Sequence, residues 1–345
     1  VEVEQEGKNG AIQLQEGNDN LAEVDQNGTS NTSQIRQYSH KNLAFTDQVG
    51  GAQSNQAQIS QGIAGGGGGN ENGAGIVQTD MANFNRVEVH QTGAKNLQAS
   101  LQSGAFVSQN EVKINQSGNN NIATTTQLNG IVLGNETKID QSGNRNQASV
   151  NQLASEELDN VHNINQTGHD NNAQITQVLA SVNETNISQL GNHNQTTVLQ
   201  QNNADGNTSN ITQSGNRNTT TTNQTTSFNN TTDVIQSGNR NAAGLDQVLS
   251  FEAEAVFIQS GNDNTGTVIQ NNVDAGAFST NATVNQGGDN NNATIQQINA
   301  LNSRSDIMQG GNQNNAFNFQ TGNRNFNTVD QSGNLNNSNV NQNGN

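Results

Sequence analysis

Glutamine recurs in this chain in pairs eleven residues apart. Gln91/Gln102, Gln116/Gln127, Gln141/Gln152 and Gln166/Gln177 show the interval, and Gln189/Gln200, Gln213/Gln224, Gln236/Gln247, Gln259/Gln270, Gln286/Gln297, Gln309/Gln320 and Gln331/Gln342 repeat it. From one pair to the next the interval varies from eleven to sixteen. A fixed short spacing alternating with a loose one marks a stacked repeat, in which each copy is a small unit whose apolar strip only a neighbour can cover.

Residues 135–152 display the unit. Two arms of the form Asn-x-small-x-Val/Ile-x-Gln, at 135–141 and 146–152, flank the turn Ser142-Gly143-Asn144-Arg145. At the two-residue period of a strand, Asn135, Thr137, Ile139 and Gln141 share one face, and Asn146, Ala148, Val150 and Gln152 share one face of the second arm. The residues between them are polar or small and point to solvent. Gly143 permits the left-handed backbone of a sharp reversal. The expected unit is a two-strand β-arch, and the expected fold is all-β, a cross-β solenoid of the amyloid type in which such arches stack. Its hand stays open.

Composition agrees only with a thin core. With 345 residues, 28% hydrophobic and 3% aromatic, and no Cys, Pro or Trp, the chain cannot fill a core several side chains deep. A stacked repeat needs one or two apolar residues per arm. The net charge of −17 argues against nucleic acid or an anionic surface as main partner, because phosphates would be repelled. No apolar run approaches the ~18–20 residues of a membrane helix, and residues 1–5 do not read as a signal peptide.

The chain reads as one repeat domain, 1–345, with a leading half repeat at 1–5 and fourteen full repeats across 9–342. The third repeat is irregular, its turn lengthened by the glycine run 65–69. Asn opens every second arm: Asn20, Asn42, Asn72, Asn96, Asn121, Asn146, Asn171, Asn194, Asn218, Asn241, Asn264, Asn291, Asn314 and Asn336. Gln closes the first arms at Gln37, Gln61, Gln91, Gln116, Gln141, Gln166, Gln189, Gln213, Gln236, Gln259, Gln286, Gln309 and Gln331. Stacked at the ~4.8 Å strand spacing, each inward amide is expected to donate to the copy on one side and accept from the copy on the other. Such ladders also fix the register. The sequence starts on an arm (Val1, Val3, Gln5) and finishes on one (Asn336, Ser338, Val340, Gln342), so the expectation is an uncapped rung at each end and self-association end to end as a homopolymer.

The spacing Gln-x-Gly-x-x-Asn-x-Ala-x3-Gln, seen at Gln116, Gly118, Asn121, Ala123 and Gln127 and again from Gln166 to Gln177, resembles the repeat of curlins, the subunits of bacterial curli amyloid fibres. The resemblance covers almost the whole chain, with Asn usually standing where curlins often open the first arm with Ser and with more repeats than the familiar members. It implies a secreted, extracellular subunit of biofilm matrix and surface adhesion at the bacterial cell surface. It further implies an outer-membrane secretion pore, periplasmic chaperones and a minor nucleator subunit as partners. The alternative from another class is a monomeric β-solenoid adhesin or ice-binding module. Outward Thr does not persist from turn to turn (Gln195 and Thr197, Thr219 and Thr221, Ala242 and Gly244), which weighs against ice binding.

No catalytic, cofactor or metal site is expected. His40, His90, His162, His169 and His193 share no ligand spacing and are read as sitting mainly in loops or on surfaces. The glycine run 65–69 lacks the Lys-Ser/Thr of a phosphate loop. Arg145, Arg217, Arg240 and Arg324 are read as occupants of one turn position in different repeats, where Arg217 and Arg240 would stack and repel. The expected role is that of gatekeepers slowing assembly.

Overall fold

The computed structural model describes residues 2–62, 71–104, 106–128, 131–153, 156–272 and 280–344. Val1 and the glycine run 65–69 lie outside the described residues. The regular structure described is β-strand throughout, and the architecture is a β-solenoid of stacked arches. It comprises two compact units, Val1–Ser181 and Val182–Asn345.

In the first unit the arm Glu136–Asn144 pairs in parallel with Glu111–Asn119 before it and Val161–His169 after it. Its companion Gln147–Leu153 pairs with Ile122–Leu128 and Asn172–Ser181. The second unit repeats the scheme: Thr208–Asn216 lies between Glu184–Asn192 and Thr231–Asn239, and Thr219–Thr225 between Gln195–Asp205 and Ala242–Val248. Arms consecutive in sequence belong to different sheets. The connection is therefore an arch and not a hairpin, and the two sheets face each other across the core.

Alternation builds that core. Val, Ile and Thr suit the pleated, half-buried surface, and in Gln147–Leu153 every second residue is buried. Register places like on like: Ile114 on Ile139 on Ile164 in the first-arm sheet, and Val150 on Ile175 in the second. Each such aliphatic, removed from water, contributes about 2 kcal/mol. Ala123, Ala148 and Ala173 fill the narrower column beside them. Where polar side chains enter the core they meet across it, as Ser33 and Thr46 do at 2.7 Å.

The corners are more regular than the sequence reading allows. Ser142, Gly143 and Asn144 continue the parallel ladder, facing Thr167, Gly168 and His169. Gly143 has φ 103°, and a Cβ there would stand 2.1 Å from the Gly168 carbonyl oxygen, so both conformation and close approach demand glycine. Arg145 also lies in the left-handed region, at φ 56°, a conformation that costs a side-chain-bearing residue about 1–2 kcal/mol.

The loose side, read from sequence as loops, carries a third short parallel sheet in the first unit: Phe106–Ser108, Ile131–Leu133 and Glu156–Leu158. Single bridges joining Thr29, Gln53, Asn83 and Ser108 extend it. Beneath lies a buried column, Ala52, Ala82, Val107 and Val132, each three residues before a first-arm Asn. In the second unit Ala204, Ser227, Ser250 and Ala300 are buried at the equivalent position.

One core position departs from the aliphatic rule. Phe257 is fully buried and faces Gly266, where a Cβ would stand 2.8 Å from the ring. The pair trades volume across the core. Phe257→Ala is expected to cost about 3–5 kcal/mol in chemical denaturation. Gly266→Val alone should also destabilise, and the double substitution should cost clearly less than the sum of the two; additive costs would show that the two positions do not share space.

Candidate functional site: the amide columns and their corners

The first-arm glutamines form unbroken amide chains within each unit. Nε2 of Gln37 donates to Oε1 of Gln61 at 3.0 Å, and Gln61, Gln91, Gln116 and Gln141 donate in turn to the next residue of the column at 2.8–2.9 Å, ending on Gln166. In the second unit Gln189, Gln213, Gln236, Gln259, Gln286 and Gln309 donate onward at 2.7–3.0 Å, ending on Gln331. The second-arm glutamines do the same, from Gln5 to Gln26 and Gln48 and from Gln297 to Gln320 and Gln342. Each amide has a second hydrogen, and many first-arm glutamines send it across the core: Gln91 to the Gly73 carbonyl, Gln116 to Leu97, Gln141 to Ile122. Glutamine thus bonds turn to turn and sheet to sheet. Every donor in these columns points toward the following turn, so the chains are polar.

The asparagines add backbone bonds to the expected side-chain ladder. Oδ1 of Asn96 accepts the backbone N–H of Asn121 at 3.0 Å, and Oδ1 of Asn121 accepts that of Asn146. Nδ2 of Asn121 donates to the Ser117 carbonyl of its own corner and to the Gly143 carbonyl of the next, both at 3.0 Å. Amide-to-amide bonds of 3.1–3.3 Å accompany these in Asn72, Asn121, Asn146 and Asn171. In the second unit Asn218, Asn241, Asn264, Asn291 and Asn314 likewise donate to corner carbonyls of their own and the next turn. One methylene shorter than Gln, Asn keeps its amide against the backbone. It clamps two successive corners, which offsets the left-handed residue beside it. Asn20 makes the same two corner contacts, to Glu16 and Ser39.

The first arms hold a matching column that the ladder assignment omits. Asn31, Asn55, Asn85 and Asn110 are buried, and their Nδ2 atoms donate to the carbonyls of Ala52, Ala82, Val107 and Val132 on the loose side. The signal was the Asn that opens most first arms, replaced by Ala253, Thr280 and Ser303 in three of them. A further exposed column runs along the tight corners, where Asn192, Asn216 and Asn239 bond amide to amide at 3.0 Å.

On the outermost described strands, Glu2–Glu6 and Asn337–Asn343, the inward positions stay partly or fully exposed. Val3, Gln5, Ser338, Val340 and Gln342 lie there, and Asn336 precedes the last strand, bonded to Asn314.

The corner charges alternate in sign over much of their stack, Arg217 and Arg240 excepted. Asp19, Lys41, Glu71 and Lys95 occupy one position in successive turns of the first unit, with Lys95 3.5 Å from Glu71. Arg145 holds Asp170 through two bonds of 2.6 and 2.7 Å. Arg240 grips Asp263 in the same way, at 2.6 and 2.5 Å, and holds its carboxyl below the usual range. Arg217 and Arg240 do occupy adjacent turns, but the guanidinium of Arg240 turns to Asp263. Arg324 does not belong to this column. It lies between the second arm Asn315–Asn323 and the first arm Phe326–Ser332, hence on the loose side, where its N–H meets the Leu301 carbonyl. The shared Gly-Asn-Arg-Asn wording had concealed the difference.

His162 is not a surface residue. It replaces the small inward residue of its arm, faces Thr137 in the preceding turn, and is completely buried. Nε2 lies 2.8 Å from Gln177 Oε1 and 3.4 Å from Gln152 Nε2, while Nδ1 has no partner. Counting by twos from Asn160 places it inside, so the signal was present. Burial lowers its pKa to about 4, partly opposed by the bond to Gln177.

The sequence matches no protein-family model and none of the curated proteins compared with it.

Because His162 is neutral in the fold and takes up a proton near pH 6.5 when exposed, the unfolded chain binds more protons between these values. Stability is then full above pH ~6.5 and declines as pH falls toward about 4, by about 3 kcal/mol in all. Hydrogen exchange across Val161–His169 should report this loss, and His162→Val should abolish it; an unchanged pH dependence would place the proton elsewhere.

Proposed function

We propose that the chain is a structural subunit of an extracellular, curli-type amyloid fibre that assembles end to end as biofilm matrix and surface adhesin. One observation carries this reading. Where Glu111–Asn119 lies on Glu136–Asn144, Glu faces Glu, Lys faces Lys, Ile faces Ile, and Gln-Ser-Gly-Asn faces Gln-Ser-Gly-Asn. The two faces of a turn are therefore complementary to those of any like turn, in the same molecule or another. Ten or so backbone bonds at about 1 kcal/mol net each, with the amide columns continuing, would favour addition after ordering costs. Polar glutamine chains and parallel strands permit only head-to-tail joining. By the resemblance to curlins, export through an outer-membrane pore, periplasmic chaperones and a minor nucleator subunit belong to the same reading, which involves neither catalysis nor a cofactor.

Purified chain left in buffer should form filaments with a meridional reflection near ~4.8 Å. Val3→Lys with Val340→Lys, which sets charge on both outermost inward faces, should abolish filaments and leave the fold intact by circular dichroism. A wild-type chain that stays monomeric would instead favour a free-standing adhesin.

The gatekeeper role narrows to Arg217, whose neighbour Arg240 carries like charge, whereas Arg145 and Arg240 each hold an acidic partner. Arg217→Asn should shorten the lag before filaments appear more than Arg145→Asn does, as read by light scattering. Equal lags in both variants and wild type would remove corner charge from the account.

A further inference from the structure

The outward side of the second-arm sheet is polar in many turns, as at Gln147, Ser149 and Asn151, then Asn172, Gln174 and Thr176. One region of the first unit breaks this rule. Leu21 stands on Leu43, Leu43 on Gly73, and Gly73 on Leu97. In the adjoining column Phe45 stands on Gly75. Leu21, Leu43 and Leu97 are 51%, 47% and 52% exposed, and Phe45 39%. The two glycines yield their side-chain space: a Cβ on Gly75 would stand 2.3 Å from the Phe45 ring, and one on Gly73 3.0 Å from Leu97. The side chains thus close over the glycines into a continuous apolar floor facing water.

Carboxylates border that floor. Glu4, Asp25 and Asp47 stack in register in the next column, and Glu23 stacks beneath Phe45. Successive members are one strand spacing apart, about 4.8 Å. Oδ1 of Asp47 is buried without a hydrogen-bond partner. Burial, then Asp25 and Glu23, raise the pKa of this carboxyl above the ordinary range. Several outward carboxylates elsewhere have a cation beside them: Glu88 with Arg86, Glu111 with Lys113, Asp140 with Lys138, Asp306 with Arg304. Among the described residues no ion pair reaches Glu23, Asp25 or Asp47. Apolar surface and unmatched charge coincide here.

We propose that this face docks a second, different polypeptide that presents basic side chains next to aliphatic ones. The floor supplies apolar area to remove from water, and the acidic border selects the partner. A neutral apolar partner would bury carboxylates without compensation, at a cost of several kcal/mol. Another copy of this chain is poorly suited, because its Asp and Glu number 29 against 12 Lys and Arg. Phe45 and Asp47 lie two residues apart on one strand, about 6.8 Å. A partner alternating apolar and basic residues in extended form matches that pitch.

A short labelled peptide of alternating leucine and lysine, titrated with the full chain and followed by fluorescence anisotropy, tests the assignment. Leu43→Ser with Phe45→Ser, and separately Asp25→Asn with Asp47→Asn, should each weaken binding about tenfold or more. Glu111→Gln with Asp140→Asn removes two charges from the other sheet and should leave binding unchanged within about twofold. All six positions face outward, and hydrogen exchange over Leu43–Gln48 should confirm an intact strand. Equal weakening by the control pair, or indifference to loss of Leu43 and Phe45, would mean general attraction to an acidic chain and overturn the proposal. A dimer of the chain alone that Phe45→Ser dissolves would overturn it too, making a second copy the occupant.

Discussion

Within each unit the arms of one turn lie on those of the next almost without offset, so that an arm residue meets its own counterpart one strand spacing away. That constraint decides which side chains are tolerable. Aliphatics stack well on aliphatics. Like charges on like charges do not, unless a neighbour of opposite sign is within reach. Glutamine is favoured because its amide is self-complementary by translation: donor and acceptor sit on one planar group, and the next copy presents the same pair in the same orientation. A column of buried glutamines leaves amides satisfied and polarises them in one direction, which strengthens each bond in the series.

The alternation of inward and outward positions, the two-sheet arch, the glycine corners and the glutamine columns were legible in the sequence because each repeats at a fixed interval. What escaped were features set by chain direction at the corners. The sequence marks Asn and Gln as equivalent inward amides, yet the shorter side chain also bonds the corner backbone of its own and the next turn, whereas the longer one sends its second hydrogen across the core. The third sheet was hidden by the variable loop lengths on the loose side, although Ala52, Ala82, Val107 and Val132 precede their arm by a constant three residues. His162 and Arg324 were misplaced for a simpler reason. Each was assigned by residue type or local wording, when counting along the arm gives the inward position of one and the loose side of the other.

Departures from the repeat are answered across the core more than along it. Phe257 gains room from Gly266 in the facing sheet, and Ser33 bonds Thr46 in the facing sheet. His162 alters the glutamine column opposite, where Gln152 meets Gln177 at 3.3 Å while their neighbours Gln127 and Gln152 meet at 2.7 Å. The physical reason is that a column cannot change one member without presenting the change to both neighbours, whereas the facing arm can vary at a single turn. Variation therefore accumulates in facing pairs.

The outer surface obeys the same stacking but with water as a second neighbour, and this loosens the rule. Charges alternate along the corner column from Asp19 to Lys95, giving attraction at each step and a penalty for any slip that sets like against like. The second-arm face near Phe45 lacks that alternation: Glu4, Asp25 and Asp47 repeat one sign through three turns with no cation set among them. Stacking alone would not keep such a column, since each added carboxylate raises the cost of the others. A surface where the repeat works against its own stability, next to apolar side chains left in water, is better explained by what it meets than by what it supports.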